Sequence, residues 1–424
     1  MKLNTLTATA VSNKTVIVRV DYNVPLDKET KPITVTNDLR IRESLKTVQF
    51  LLDHNAKIIL IAHLGRPESA KDTQYSLLPV ATALEKLLKH PVTLLSGEVG
   101  KQTKEIISKA PQKSVFMLEN LRFYPEEKKN SDNFSKALAS LAEVYVNEAF
   151  SASHRSHASI VGIPKYLPAF AGFSFTEEVK ALSELMEKPK RPFVAVLGGA
   201  KISDKVGAMM NLAQLADIVL IGGAIANNFL KAEGFEIYRS FIEEKTNVKD
   251  GGTEDYTAVA AQLIANSKTE RILKDGYIPL PKLIYPIDVI AAPSIDTTAS
   301  SQLKELNLTH NMADSNEHTK LVYLDIGPKT TKLYSEIIAE AGTVFWNGPM
   351  GVWENPLFAT GTKAVAKAIT SSNAYSVLGG GDTIAAARHF NYVDKFKYVS
   401  AAGGAALEYL GGEVLPGLKP LLKS

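Results

Sequence analysis

The sequence predicts an α/β protein built of two doubly wound parallel-sheet domains. Three observations carry this. Strand-like and helix-like segments alternate along the chain, continuous apolar runs stand where strands should, and glycine pairs or triplets follow several of those runs. At 424 residues the chain is too long for one core and suits two domains. In the N-terminal half TVIVRV (15–20) precedes DLRIRESLKTVQFLLDH (38–54), and KIILIAH (57–63) precedes SLLPVATALEKLLKH (76–90). SVFMLEN (114–120), NFSKALASLAE (133–143) and VYVNEAF (144–150) continue the alternation. Unbroken apolar runs are the mark of strands covered on both faces. In the first helix Leu39, Arg42 or Glu43, Lys46 and Phe50 fall at near-helical spacing, while Leu45, Val48 and Leu52 extend an apolar face. A charged stretch from Ser174 to Lys188 reads as a connecting helix ended by Pro189. The division expected is therefore a domain at 1–173, a connector at 174–189 and a second domain at 190–405. Between Glu236 and Lys320 the pattern weakens: KDGGTED (249–255) and TTASSQ (297–302) read as loops around one strand, KLIYPIDVIAA (282–292).

The C-terminal half carries glycine-rich strand ends. In FVAVLGGAKISDK (193–205) an apolar strand breaks at Gly198-Gly199. A helix starting near Ala200 would put Lys201 and Lys205 one turn apart on one face, beside a helix N-terminus suited to phosphate. A βα turn with two surface lysines is the plainer alternative. The tract is not a GxxxxGK[ST] loop. Ser376–Leu378 leads into Gly379-Gly380-Gly381-Asp382-Thr383, where Asp382 and Thr383 either cap the helix or hold phosphate and Mg²⁺. Ile218–Ile221 before Gly222-Gly223-Ala224, and Val399 through Gly404, are further junctions of this kind. Together the four suggest a single crevice at the carboxyl edge of a parallel sheet. VFWNGPMGVWE (344–354) adds a strand, a Gly-Pro turn and the Glu354 carboxylate, which could take a ribose hydroxyl pair.

The N-terminal half uses arginine instead. The first 190 residues hold only six, Arg19, Arg40, Arg42, Arg66, Arg122 and Arg155, in a protein whose positive charge is mostly lysine. Several follow strand-like runs, as do Asp21 and Asn23, so a planar fork for carboxylate or phosphate is the use expected of them. A surface ion pair or strand-end cap is the alternative for each alone. The formal charge of +3 is too small to argue for nucleic-acid or membrane partners. The absence of cysteine excludes disulfides, thiolate metal sites and cysteine nucleophiles. No stretch of about 18 apolar residues occurs, and MKLNTLTATAVSNK has no signal-peptide core, so a cytoplasmic protein is expected.

RVDYNVP, AHLGRP, LENLRF, NEAFSASHRSHAS, RPFVAVLGGAKISDK, LDIGP, VFWNGPMGVWE and GGGDT occur here in that order. From Val18 to its end the chain resembles the phosphoglycerate kinases. The resemblance implies two domains joined by a helix, with a C-terminal tail (406–424) packing back on the first. It implies reversible phosphoryl transfer between 1,3-bisphosphoglycerate and ADP, giving 3-phosphoglycerate and ATP, by a cytoplasmic monomer that closes about a hinge. Asp21, Asn23, Arg40, His63, Arg66, Arg122 and Arg155 would line the phosphoglycerate site. Arg40 and Lys201 would reach the transferring group, and Lys205 the nucleotide phosphates. Gly199, Ala200, Gly222 and Gly223 would border adenine, Asn347 and Glu354 the ribose. Gly380, Gly381, Asp382 and Thr383 would hold phosphates, with Asp382 on Mg²⁺.

Some positions depart from the usual pattern: Tyr22 for phenylalanine, Glu148 for aspartate, Ala224 for glycine, Ala401-Ala402 for Thr-Gly, and Ala406 for serine. Ala224 and Ala402 are expected to crowd the backbone or strain a positive φ, altering nucleotide affinity rather than abolishing activity. Two other classes fit part of the sequence. A dinucleotide-dependent oxidoreductase should carry GxGxxG after its first strand, where RVDYNV stands instead. A non-catalytic scaffold would not need Arg40, Lys201 and Asp382 together.

Overall fold

The structure, a computed structural model, describes residues 2–69, 71–247, 253–267, 270–272, 279–308 and 318–423. The chain divides into two compact units, Met1–Lys180 with Val414–Ser424, and Ala181–Glu413.

The first unit is built on β1 (Thr15–Val20), β2 (Lys57–Ile61), β3 (Val92–Leu95), β4 (Val115–Leu118), β5 (Val144–Glu148) and β6 (Ala169–Ala171). They form one parallel sheet in the order β3-β4-β2-β1-β5-β6. The central strands are buried along their length, as their unbroken apolar runs require. The order steps outward in both directions from β1, so the strand ends on either side of it open a crevice at the carboxyl edge. Helix α1 (Leu39–Asp53) buries Ile41, Ser44, Thr47, Val48, Leu51 and Leu52. That face is rotated from the one expected: Leu39 is exposed and Phe50 and Leu45 are only partly covered. Two small polar residues, Ser44 and Thr47, sit inward because buried side chains bond them, as described below.

Helix α2 (Leu78–Leu88) also covers this sheet, and α3 (Phe173–Glu187) runs from the first unit into the second. The tail that joins the first unit begins at Val414 rather than at Ala406. Its Gly417 N–H donates to the Ser153 carbonyl (2.8 Å), Asn4 N–H donates to the Leu421 carbonyl (2.7 Å), and Leu415, Leu418 and Leu421 are buried.

The second unit holds β7 (Phe193–Leu197), β8 (Ile218–Ile221), β9 (Leu283–Ile284), β10 (Asp288–Ala292), β11 (Lys304–Asn307), β12 (Val322–Ile326), β13 (Thr343–Asn347), β14 (Tyr375–Gly379) and β15 (Tyr398–Ser400). Six of these make a parallel sheet ordered β9-β8-β7-β13-β14-β15; β10, β11 and β12 make an antiparallel one. The single strand expected over 282–292 is thus two, assigned to different sheets. Pro286 lies in the gap between them and has no N–H for a ladder. Of the loop expected at 249–255, residues 249–252 lie outside the described residues, and Thr253–Asp255 pair antiparallel with Lys245–Asn247. Helices α4 (Val206–Leu215), α5 (Ile225–Ala232), α6 (Pro328–Ala339), α7 (Thr360–Ser371), α8 (Gly381–His389) and α9 (Gly404–Leu410) flank the sheets. Helix α9 belongs to this unit, with Asn211 Nδ2 donating to the Leu410 carbonyl (2.6 Å). Among the described residues no helix is long and apolar enough to cross a membrane.

Candidate functional site

At the carboxyl edge of the first sheet the arginines gather around a buried histidine. Arg19, inside β1, is 1% exposed. Its Nε donates to Ser159 Oγ (3.0 Å), one Nη to His63 Nδ1 (3.0 Å), and the other to the Val20 carbonyl. A guanidinium only donates, so Nδ1 of His63 accepts and its ring is the neutral tautomer with the proton on Nε2. Burial, then the charges of Arg19, Arg122, Arg155 and Arg40, hold the His63 pKa well below its usual value. Arg155 Nη1 stands 3.4 Å from Nε2, donor facing donor. An anion between them would accept from both.

The neighbouring arginines are equally short of acceptors. Arg122 gives one Nη to the Gly65 carbonyl, but its buried Nε has no partner. Burial and the charges of Arg155, Arg19 and Arg66 push its pKa down to about 10; burial and Arg19 lead the same downward push on Arg155. Arg66 is exposed. Two carboxylates answer this charge. Asp21 takes Arg40 Nη1 (2.6 Å) and the Ser151 hydroxyl, and Glu127 takes the N–H (3.0 Å) and hydroxyl (2.5 Å) of Ser159. Asn23 Oδ1 accepts the Gly65 N–H (2.8 Å), joining the β1 and β2 loops. The seven expected residues of this half gather at one sheet edge, Arg40 from the first turn of α1, bonded to Asp21, and the other six from the segments that follow the strands. Arg19, Glu127, Ser151 and Ser159 were not expected there. Arg19 had a readable signal, since a charge inside an apolar strand needs a partner.

At the carboxyl edge of the second sheet the main chain builds the site. Gly198 N–H donates to the Asn347 carbonyl (2.9 Å), Gly199 N–H to Pro349 (2.8 Å), Gly222 N–H to Leu197 (2.9 Å) and Gly223 N–H to Met350 (2.9 Å). The loops after β7, β8 and β13 are therefore stitched together, and these four N–H groups are already used. Gly348 has φ +97°, and a Cβ there would lie 2.0 Å from the Gly198 oxygen, so no side chain fits. Gly380, at φ +90°, turns the chain into α8, and the first-turn N–H groups of Gly381, Asp382 and Thr383 have no carbonyl partner within that helix. Thr383 is buried and its Oγ1 accepts the Gly348 N–H (2.6 Å).

The lysines differ from expectation in one respect. Helix α4 starts at Val206, not near Ala200, so Lys201 and Lys205 both lie in the preceding turn, where Lys205 N–H donates to the Ile202 carbonyl (2.9 Å). Lys201 is exposed; Lys205 is half-buried, and burial lowers its pKa against the pull of Asp204 and Asp382. Two cavities adjoin this edge. One, of about 430 Å³, is walled by Leu230, Phe241, Val289, Val322, Tyr323 and Trp353, with Glu354 among its lining residues. The other, of about 860 Å³, is lined by Lys201, Lys205, Asn347, Gly380, Gly381 and Thr383. Gly199, Ala200, Pro349 and Asp382 border both. Asn347 thus lines the polar cavity and Glu354 the apolar one.

Among the described residues no three acidic or histidine groups cluster to hold a metal by themselves. A lone carboxylate, Asp382, at the border of a cavity lined by two lysines and the first turn of α8 suits Mg²⁺, which commonly takes one or two carboxylates with substrate phosphates and water. The departures are also accommodated. Ala224 has φ −69° and ψ −20°, and neither Ala401 nor Ala402 has a positive φ, so the expected strain is absent; the left-handed positions beside them are Gly223 and Gly403. The Tyr22 hydroxyl, fully buried, pairs with Ser44 Oγ (2.7 Å). Glu148 reaches from β5 to accept Thr47 Oγ1 (2.7 Å) and the N–H groups of Ser174 (3.0 Å) and Phe175 (3.4 Å) at the start of α3.

An arginine basin on one doubly wound sheet and a glycine-lined phosphate cradle on another are the working parts of a small-molecule phosphotransferase. Comparison with known proteins narrows the class. Residues 6–413 match the family described as phosphoglycerate kinase. The chain is 40% identical to a phosphoglycerate kinase of Moorella thermoacetica over 98% of each chain, and 41% identical to that of Gloeobacter violaceus over 98% of this chain and 97% of the relative. The structure of phosphoglycerate kinase from Coxiella burnetii superposes with a TM-score of 0.81 at 36% identity, covering 97% of this chain and 96% of that one. The chain belongs to the phosphoglycerate kinase family. It transfers a phosphoryl group reversibly between 1,3-bisphosphoglycerate and ADP, giving 3-phosphoglycerate and ATP.

Proposed function

We propose that the first unit binds the phosphoglycerate and the second the nucleotide, and that the phosphoryl group passes directly between them. The observation that carries this is the donor excess around neutral His63: Arg122 Nε without an acceptor, and Arg155 facing a protonated Nε2. Such a basin takes the phosphate and carboxylate of 3-phosphoglycerate on Arg66, Arg122, Arg155 and His63, with Asp21 and Asn23 bordering the glyceryl hydroxyl. Adenine lies in the apolar cavity against Gly199, Ala200 and Gly223, with Gly222 packed on Met350 behind that wall, and Glu354 and Asn347 meet the ribose. The phosphates lie on Lys205 and the free N–H groups of Gly381 to Thr383. Mg²⁺, bound by Asp382 and those phosphates, supplies charge neutralisation.

Phosphoryl transfer asks the protein mainly for in-line positioning and charge neutralisation. Arg40 from one unit and Lys201 from the other meet the charge on the moving group, and neither unit carries both. An acyl phosphate must also be kept from water. Closure about α3, driven by both substrates together, satisfies both needs. The family supports a monomer in the cytoplasm. Solution scattering tests the closure: the radius of gyration should fall clearly only with 3-phosphoglycerate and a non-reacting Mg-nucleotide present together. An unchanged radius in that ternary complex, with full activity in the same buffer, would refute closure.

A further inference from the structure

We propose that Glu243 is a positioning residue for the reaction, holding the turn that carries Lys201 and Lys205. This rests on the reading that Lys201 meets the transferring phosphoryl group. The turn is not helical and has little main-chain support of its own: within it, the Lys205 N–H to Ile202 carbonyl bond is the one described. Ser203 sits at its midpoint, and there Glu243 grips both available donors. Its Oε1 accepts the Ser203 hydroxyl (2.7 Å) and its Oε2 accepts the Ser203 N–H (3.0 Å). A carboxylate can take two donors at once in this way; a carboxamide has a single accepting atom.

The segment bearing Glu243 is itself fixed. Asn228, buried in α5, donates Nδ2 to the Glu243 carbonyl (2.8 Å), and its neighbour Asn227 donates to the Phe241 carbonyl (2.7 Å). Helix α5 starts directly after Gly222-Gly223-Ala224, and Phe241 lines the apolar cavity while remaining 49% exposed. One strap, Phe241 to Glu243, therefore ties the wall of the apolar cavity to the lysine turn. An ammonium on an exposed, four-carbon stem gains catalytic value only when its backbone is set in advance, because misplacement by about 1 Å can cost on the order of 10²-fold in rate. Glu243 touches no reacting atom; it acts through Ser203.

Steady-state kinetics on Glu243→Gln, Ser203→Ala and the double variant, beside Lys201→Ala, test this. Glu243→Gln should lower kcat about tenfold with KM for 3-phosphoglycerate changed less than twofold. Ser203→Ala should cost less, since its N–H still reaches the carboxylate, and the double variant should be no slower than Glu243→Gln alone. Multiplicative losses in the double variant, or kcat within twofold of wild type in both single ones, overturn the proposal. If Glu243→Gln fails to fold, Ser203→Ala decides: an unchanged kcat refutes the clamp. A large loss in Lys201→Ala with no loss in the other variants rejects Glu243 alone, whereas an unaffected Lys201→Ala rejects the reading beneath it.

Discussion

On the reading proposed above, the two units solve one problem, holding a phosphate at the carboxyl edge of a parallel sheet, with different parts of the polypeptide. The first uses side chains: Arg19, Arg122 and Arg155 press around His63, and Asp21 and Glu127 offset part of their charge. The second uses main chain, and divides it in two. The N–H groups of Gly198, Gly199, Gly222 and Gly223 are consumed in joining loops, so those glycines form a wall. The donors left over lie at the first turn of α8, facing a polar cavity. A side-chain site concentrates charge and gains from low dielectric, at the risk that each lost group leaves others unbalanced. A main-chain site is intolerant where backbones touch, as at Gly198, Gly223 and Gly348, where a Cβ has no room; Ala224, Ala401 and Ala402 cause no strain because they lie outside the positive-φ positions.

The largest effect should come where this contrast breaks, at Lys201, the side-chain cation proposed to meet the moving phosphoryl. Lys201→Ala should lower kcat by about 10²–10³ while changing either KM far less, as is typical when one preorganised donor to developing charge is lost. Arg40→Ala should match it from the other side. A change in kcat of less than a few-fold for Lys201→Ala would remove it from the catalytic role.

Next in size are the basin arginines. Arg122→Ala and Arg155→Ala, and Arg66→Ala to a lesser degree because it is exposed, should weaken 3-phosphoglycerate binding and leave ADP binding to the full chain unchanged. Each removes a charge-assisted contact of roughly 1.5–3 kcal/mol, which is about 10- to 100-fold in affinity. Calorimetry with each ligand separates the outcomes. A parallel fall in ADP affinity would erase the division of labour between the units.

Much of this was legible in the sequence because strand ends carry their own punctuation. Apolar runs followed by glycine placed Gly198, Gly222 and Gly379 at one edge, and the scarcity of arginine singled out Arg66, Arg122 and Arg155. What was not legible depends on partners distant in sequence. Arg19 is paired with Ser159, 140 residues away, and no local pattern announces that. Ser44 and Thr47 turn inward on α1 because Tyr22 and Glu148 meet them, which rotates the buried face from the one periodicity gives. The helix expected at Ala200 begins six residues later, after a turn in which Glu243, forty residues on, accepts both donors of Ser203. The strand expected over 282–292 breaks at Pro286, whose missing N–H is itself legible in the sequence.

The smallest effect expected tests a likeness rather than a difference. Each unit buries a carboxyl at the start of a helix, Glu148 at α3 and Asp325 at α7, where its Oδ2 accepts the Gly361 N–H (2.8 Å). Burial dominates both, raising Glu148 to about 7 and Asp325 to about 8, with hydrogen bonds pulling the other way. A carboxyl whose folded pKa lies above its unfolded value stabilises the fold while protonated. Between about pH 4 and 8 the unfolded chain releases that proton first, so stability declines as pH rises, by at most about 1.4 kcal/mol per pH unit and group. Asp325→Asn removes the titration and keeps one acceptor for Gly361. Its melting temperature should therefore gain on that of the wild type by a few degrees, roughly 1 kcal/mol or more, on going from pH 5 to pH 8. Glu148→Gln should show the same trend over a range ending near pH 7. A gap between variant and wild type that does not change with pH would mean the carboxyls are charged in the fold already, held by their N–H donors rather than neutralised by burial.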